Sequence, residues 1–258
     1  MSDAKLRELE RKAHRSGAAQ DIFAVRVERK RIGLSAGLDL CLPHVWGLVG
    51  AGKGENLRFG QAVAALKAQC VSDASGLHPF EAGVVRPLTF KEDVQARLAQ
   101  YAATGRAGSL WSSWLDSCSA IVYKGGSTKF KIVRLSSHLL ELPSSFRESL
   151  LGVNYGDFAG PQLDLQNDIY NQPLTQEQVV KHEGWLAVFE GDKDLLKEYA
   201  ALVFGLLNRN TAMQFWVVQN SAQDQLRPLA VYNLGIDSDC GGFRDLDGGG
   251  RFARVCPP

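Results

Sequence analysis

The sequence predicts an α+β fold, with helices first and a sheet formed late. Three observations carry this. Helical periodicity with capping signals dominates the stretch from Thr89 to Leu207. Short β-branched and aromatic runs gather in the last third. The composition is that of a globular chain, with 45% hydrophobic and 22% charged residues in 258. A chain of this length buries a core without disulfide or metal staples.

Residues 1–33 read as a helical leader, with Leu6, Leu9, Phe23, Val25 and Val27 apolar amid dense charge and Ser16-Gly17 as a break. The basic run from Arg26 to Arg31 reads as a solvated helix face. Residues 34–258 read as the second unit. Gln61–Gln69 has helical spacing, and His78-Pro79-Phe80 and Arg86-Pro87-Leu88 punctuate loops. Thr89 and Glu92 form a capping box for a helix running to about Ala103. The Trp-rich stretch 109–124 reads as a helix through Trp111, Trp114 and Leu115 into Ala120–Tyr123. Thr128–Leu135 alternates and is β-branched, so it reads as a strand.

Residues 142–175 are rich in Pro, Gly, Asn and Asp and read as a long irregular segment. Phe146, Leu150, Tyr155, Phe158 and Tyr170 still demand burial there. Thr175, with Glu177 and Gln178 following, resembles a capping box. Gly191 or Asp192 starts a second helix, Asp194–Leu207, with Leu195, Leu196, Tyr199, Leu202 and Leu206 on one face. Met213–Val218 and Leu226–Leu234 read as strands, 235–250 as a polar glycine-rich loop, and Arg251–Val255 as a last strand.

Net charge is +1, from Lys+Arg 29 against Asp+Glu 28, which does not advertise nucleic-acid or membrane-surface binding. No apolar stretch approaches a transmembrane length. The start, MSDAKLRELERKAHRSG, lacks the apolar core of a secretory signal, so the expected address is cytoplasmic, with surface or virion display also compatible. The five cysteines, Cys41, Cys70, Cys118, Cys240 and Cys256, are odd in number and widely spaced, which suits reduced thiols.

Several local patterns invite chemistry and then fail a requirement. Gly47 to Lys53 (GLVGAGK) matches the front of a phosphate-binding loop, but Gly54 stands where the magnesium-binding hydroxyl belongs. Pro43 also spoils the buried parallel strand that should precede it. A flexible glycine turn is the plainer expectation. His182-Glu183 begins a zinc-protease pattern that would need histidine at 186, where Leu186 stands. The pair is expected on an exposed helix end, with Trp185 in the core. Ser117-Cys118-Ser119 beside Asp116 has no histidine fixed near it to act as base. Asp237, Asp239, Asp245 and Asp247 cluster among glycines, but an EF-hand loop begun at Asp237 needs Glu at 248, and Gly248 is there. No catalytic residue, metal ligand or cofactor is assigned.

The informative segment is 232–250, YNLGIDSDCGGFRDLDGGG. It holds six glycines and four aspartates in nineteen residues and no Lys, Glu, Gln, Met or Trp. Those five types fill 45 of the 258 positions (Lys 12, Glu 12, Gln 14, Met 2, Trp 5), so a run of nineteen without one has a chance of about 3% under independent draws. The absent types are those that codons ending in C cannot encode. Every type present is reachable from the Asn codon AAC by changing its first two bases.

Leu234, Ser238, Leu246 and Gly250-Arg251-Phe252 punctuate clusters of freely mixed residues. This resembles the variable region of proteins diversified by diversity-generating retroelements, in which template adenines are mutated during reverse transcription. A template with Asn codons at 232, 233, 235–237, 239, 241, 243–245 and 247–249 yields this segment, with position 240 unassigned. The closing RFARV strand and the C-terminal location belong to the same resemblance.

The resemblance implies a C-type lectin fold, of the type found in formylglycine-generating enzymes, with variable side chains held on a rigid sheet-and-loop platform. It implies a non-enzymatic protein that binds a variable ligand, expected to be a protein. The ligand-binding positions are then Tyr232, Asn233, Gly235, Ile236, Asp237, Asp239, Gly241, Phe243, Arg244, Asp245, Asp247, Gly248 and Gly249. Tyr232 and Phe243 would be aromatic anchors and Arg244 a charged one. Leu234, Leu246, Arg251 and Phe252 would be scaffold. Two other readings stand beside it. One is a formylglycine-generating oxidase relative, with Cys240 and Cys256 as the late cysteine pair for copper. The other is a phage or cell-surface structural module assembled through the leader.

Overall fold

A computed structural model describes residues 5, 7–9, 11–12, 45–50, 86–134, 136, 150–242 and 251–255. The described residues among the first twelve are helical. The rest of the expected leader, the Gln61–Gln69 helix and the 78–80 loop lie outside the described residues.

The organising element is a strongly branched sheet. Its main path runs β1 (Val45–Gly50), β10 (Arg251–Val255), β3 (Leu115–Tyr123), β8 (Gln225–Val231), β9 (Cys240–Gly241) and β7 (Phe215–Trp216). The β10–β3 and β7–β9 pairs are parallel, and the other pairs on this path are antiparallel. Short strands extend it: β2 (Arg86–Pro87) on β10, β4 (Lys129–Val133) on β3, β6 (Gln162–Asp164) on β4 and β5 (Leu150–Leu151) on β8.

The sheet therefore does not wait for the end of the chain. Its strand at 45–50 pairs antiparallel with the last one, Val49 opposite Phe252 and Gly50 opposite Arg251. The glycines at 47 and 50 lie in a strand, not in the flexible turn their spacing suggested, and the strand is not the parallel one a phosphate-binding loop requires.

The expected helix over 109–124 is also corrected. Residues 109–111 form a turn and Leu115–Tyr123 is a strand buried at all nine positions. Both of its faces are covered, so Asp116, Ser117 and Ser119 are buried along with Ile121 and Val122, and the run carries no period-2 alternation to mark it as a strand. Its pairing with β8 slips between Asp116 and Ala120, where Ala120 faces Pro228. Proline has no N–H to give to the ladder, and the irregularity falls beside it. Ser117 Oγ donates to Leu229 O at 2.7 Å across the slip, while Cys118 N reaches out to Leu88 O.

The helices form where local signals place them. The first, α1 (Phe90–Thr104), opens on the full capping box: Thr89 Oγ1 accepts from Glu92 N, and Glu92 Oε2 accepts from Thr89 N. It closes on Gly105 at φ 68°, a left-handed position that glycine occupies without a Cβ clash. A short helix, α2 (Gln176–Val179), carries the Thr175–Gln178 box, and α3 (Glu183–Val188) follows it. The long helix α4 (Lys193–Leu207) starts at Asp192, whose carboxylate accepts from Leu195 N, and buries Leu195, Leu196, Tyr199, Leu202 and Val203. In the irregular stretch before them, Tyr155, Phe158 and Tyr170 are buried as expected, while Phe146 lies outside the described residues.

His182 is a correction. Expected on an exposed helix end, it is 1% exposed, while Glu183 faces solvent and Trp185 lies in the core. Its Nδ1 accepts from Trp185 N and caps α3, and its Nε2 lies 2.8 Å from Ile169 O. Those two contacts define the neutral, Nε2-protonated ring, which stacks on Phe215. Burial holds its pKa below the ordinary histidine value, against the pull of Asp168.

Candidate functional site

The segment 232–250 begins and ends at one residue. Val231, the last residue of β8, pairs with Leu115, and Arg251, the first of β10, pairs with Leu115 from the other side. The two ends therefore stand about 10 Å apart, two strand spacings. The positions that an Asn-codon template assigns, 232 to 249, all fall within this connection.

Behind its starting point sits a buried arginine. Arg97, on α1, is fully enclosed and donates to Leu110 O, Ser113 O, Val231 O and Tyr199 Oη. Its guanidinium lies over the Trp111 ring, and Trp111 Nε1 donates back to Arg97 O. One side chain thus ties α1, α4, the 110–113 turn and the end of β8 together. Sequence reading missed it, since arginine at an inward helical position looks like a break in the apolar stripe.

Residues 232–242 form a tight knuckle. Asn233 Oδ1 accepts from Ile236 N at 2.9 Å and caps a single 3-10 turn over Leu234–Ile236. Leu234 N donates to Trp111 O, Met213 N donates to Asp237 O, and Ser238 N closes the loop on Asn233 O. Asp237 and Ser238 both sit at φ 53°, in the left-handed region that aspartate tolerates better than bulky residues. Asp237 also pairs with Arg209, just past the end of α4. The chain then runs inward: Tyr232 N donates to Asp239 O, Cys240 N to Gln214 O and Gly242 N to Trp216 O.

The structure divides the expected binding positions into groups. Gly235 and Ile236 are exposed, Ile236 at 43%, with Asn233 and Asp237 half-buried beside them. Tyr232, Asp239 and Gly241 face the interior. The Tyr232 ring stacks on Trp114 at 4.8 Å. The Asp239 carboxylate accepts from Gln214 N at 2.7 Å and from Trp216 Nε1 at 2.8 Å. Burial pushes its pKa up to about 6, a rise those two hydrogen bonds oppose. Phe243, Arg244, Asp245, Asp247, Gly248 and Gly249 lie outside the described residues. Of the expected scaffold positions, Leu234 packs half-buried on the core and Arg251 and Phe252 are paired strand backbone, while Leu246 lies outside the described residues.

Other chemistry suggested by the sequence meets a different placement. The Ser119 hydroxyl accepts from Phe90 N and donates to Arg134 O, and the Ser117 hydroxyl is held at Leu229 O, so both serve backbone groups. Cys118 and Cys240 are buried, and desolvation pushes the Cys240 thiol well above its ordinary pKa, which opposes the thiolate that copper would need. Cys256 lies outside the described residues. The carboxylates of Asp237 and Asp239 are turned to Arg209 and to Trp216 with Gln214 N, not to each other. Among the described residues, no three His, Cys, Asp or Glu side chains gather around a common point, and no helix is long and apolar enough to cross a membrane.

A sheet with its first and last strands paired, a long second connection and a late, sheet-bound loop defines a C-type lectin fold. A solved structure that shows accommodation of massive sequence variation in Nanoarchaeota by the C-type lectin fold is similar over 81% of this chain and 95% of its own, with a TM-score of 0.54 and 14% identity. The likeness is of fold. No protein-family model and no curated protein matches the chain.

Proposed function

We propose that this protein binds ligands, proteins foremost, through a C-terminal surface diversified by a retroelement. The observation that carries the reading is the coincidence at Leu115. The positions that an Asn-codon template assigns begin at 232, just after Val231, and end at 249, just before Gly250 and Arg251, and both Val231 and Arg251 pair with Leu115. Sequence freedom is thus confined to a connection whose two ends are held by sheet hydrogen bonds. Exposed side chains on such a connection change without rewriting the fold, because the backbone groups at its ends are already satisfied.

The knuckle at 233–237 presents part of this surface. Its exposed tip, Ile236, and its neighbours Asn233 and Asp237 are held by contacts that do not use the Ile236 side chain. Phe243 and Arg244 supply the larger anchors of the same surface, since aromatic and arginine side chains dominate interface energies. The similar fold described from Nanoarchaeota, which accommodates massive sequence variation, supports the same reading.

The test is genetic and chemical. A reverse-transcriptase gene beside this one, with a near-repeat of its 3′ end differing at adenines, is expected. Sister sequences from the same locus should vary within 232–249 and agree outside it. Variation spread evenly along the chain would overturn the reading.

A further inference from the structure

Two of the expected variable positions, Tyr232 and Gly241, compete for one volume. The β8–β9 ladder sets Val231 opposite Cys240 and Ala230 opposite Gly241, which carries the backbone of Gly241 to the Tyr232 ring. A Cβ on Gly241 would lie 2.5 Å from Tyr232 Oη and 2.8 Å from Cζ. Both separations are well inside van der Waals contact. Gly241 has no left-handed φ, so its backbone admits any L residue and the obstacle is the ring alone.

The backbone has little room to yield. Hydrogen bonds from Cys240 N to Gln214 O, from Gly242 N to Trp216 O and from Tyr232 N to Asp239 O hold it on both sides of the contact. The ring can yield. It is 5% exposed and lies on Trp114, which is itself half-buried, so the stack sits at the margin of the interior. Rotation about χ1 is the movement left to a side chain whose backbone is held.

We propose that Tyr232 and Gly241 form one steric switch of the ligand-binding face: glycine at 241 stows the Tyr232 ring against Trp114, and a side chain at 241 turns it outward as an aromatic anchor. The proposal rests on the reading of Tyr232 as part of that face. It makes the two positions non-independent. A sister sequence with an aromatic at 232 displays it only when 241 is larger than glycine. The ligand class so gained is a protein surface with an apolar recess that takes a phenol.

The experiment is nitration of the full-length protein with tetranitromethane, read per tyrosine by peptide mass spectrometry. In the starting protein Tyr232 is protected. In Gly241→Ala its nitration rate should rise by about tenfold, while Tyr199, fully buried, stays protected and reports an intact core. A folded Gly241→Ala in which Tyr232 stays protected would overturn the switch. Should Gly241→Ala not fold, the double variant Tyr232→Ala/Gly241→Ala decides. It should fold where Gly241→Ala does not, because the collision is gone. A double variant that also fails to fold would overturn the proposal. Failure of the switch is distinguishable from failure of the variable-surface reading: the first shows in nitration and folding, the second in sister sequences that do not vary at 232–249.

Discussion

The indole N–H of Trp216 donates to the carboxylate of Asp239 at 2.8 Å, and the same carboxylate takes the backbone N–H of Gln214. This pairing fastens the inward half of the knuckle to β7, so a residue inside the restricted-alphabet segment does scaffold duty. Asp239→Ala leaves two donors without their acceptor and should cost about 2–3 kcal/mol, read by urea denaturation. Trp216→Phe should cost less. The two losses should fall short of additive in a double-mutant cycle, since they remove one shared interaction. Additive losses would show that the contact carries no energy.

The exposed half should behave differently. Ile236→Ser and Asp237→Gly should each shift stability by less than about 1 kcal/mol. Ile236 is at the tip, the Arg209–Asp237 pair is solvent-facing, and glycine accepts the left-handed φ of position 237. A loss above 2 kcal/mol at either position would mark the knuckle as structural rather than displayed.

Asp116 sets a pH dependence. It is buried in β3, and desolvation raises its pKa from 3.8 to about 7. The folded state therefore holds a proton that the unfolded state has lost. Its contribution is fully present below pH 4 and disappears as the pH rises to about 7, a change of about 4 kcal/mol at most. Asp239, raised to about 6, acts with the same sign. Asp116→Asn should raise the melting temperature at pH 8 and leave it nearly unchanged at pH 4. Equal shifts at both pH values would contradict the raised pKa.

His182 works in the opposite sense. Its folded pKa lies below the ordinary histidine value, so its contribution is present above about pH 6.5 and is lost as the pH falls through the folded pKa. His182→Asn retains a capping acceptor for Trp185 N and should flatten the acid limb of the stability profile. An unchanged acid limb would place that titration elsewhere.

Arg97 is the most exacting position. Arg97→Met removes every donor that Leu110 O, Ser113 O and Tyr199 Oη share with it, and should cost about 3 kcal/mol or more. Arg97→Lys should not rescue it, because one ammonium cannot replace a planar fork reaching three elements. Full rescue by lysine would show that charge alone is needed there.

The short-range parts of this fold were legible in the residues. Thr89 with Glu92, Thr175 with Gln178, and Asp192 before Leu195 announce helix starts because a cap is a contact over three residues. The β-branched alternation of 128–135 and the closing RFARV run announce β4 and β10. The restricted alphabet at 232–250 was legible too, as a property of composition alone.

What remained hidden depends on partners far along the chain. Leu115–Tyr123 is a strand because β8 takes one edge while β4 and β10 share the other, and its mixture of buried polar and apolar residues carries no period to reveal this. Val45–Gly50 is a strand because it meets residues more than two hundred positions away. His182 is interior because Ile169 O and the Phe215 ring receive it. Within the segment whose codons look free, the alphabet makes Ile236 and Asp239 equal. Only the fold turns one to solvent and the other onto Trp216, because burial is decided by which backbone edges and rings arrive opposite a residue, and a linear pattern does not contain them.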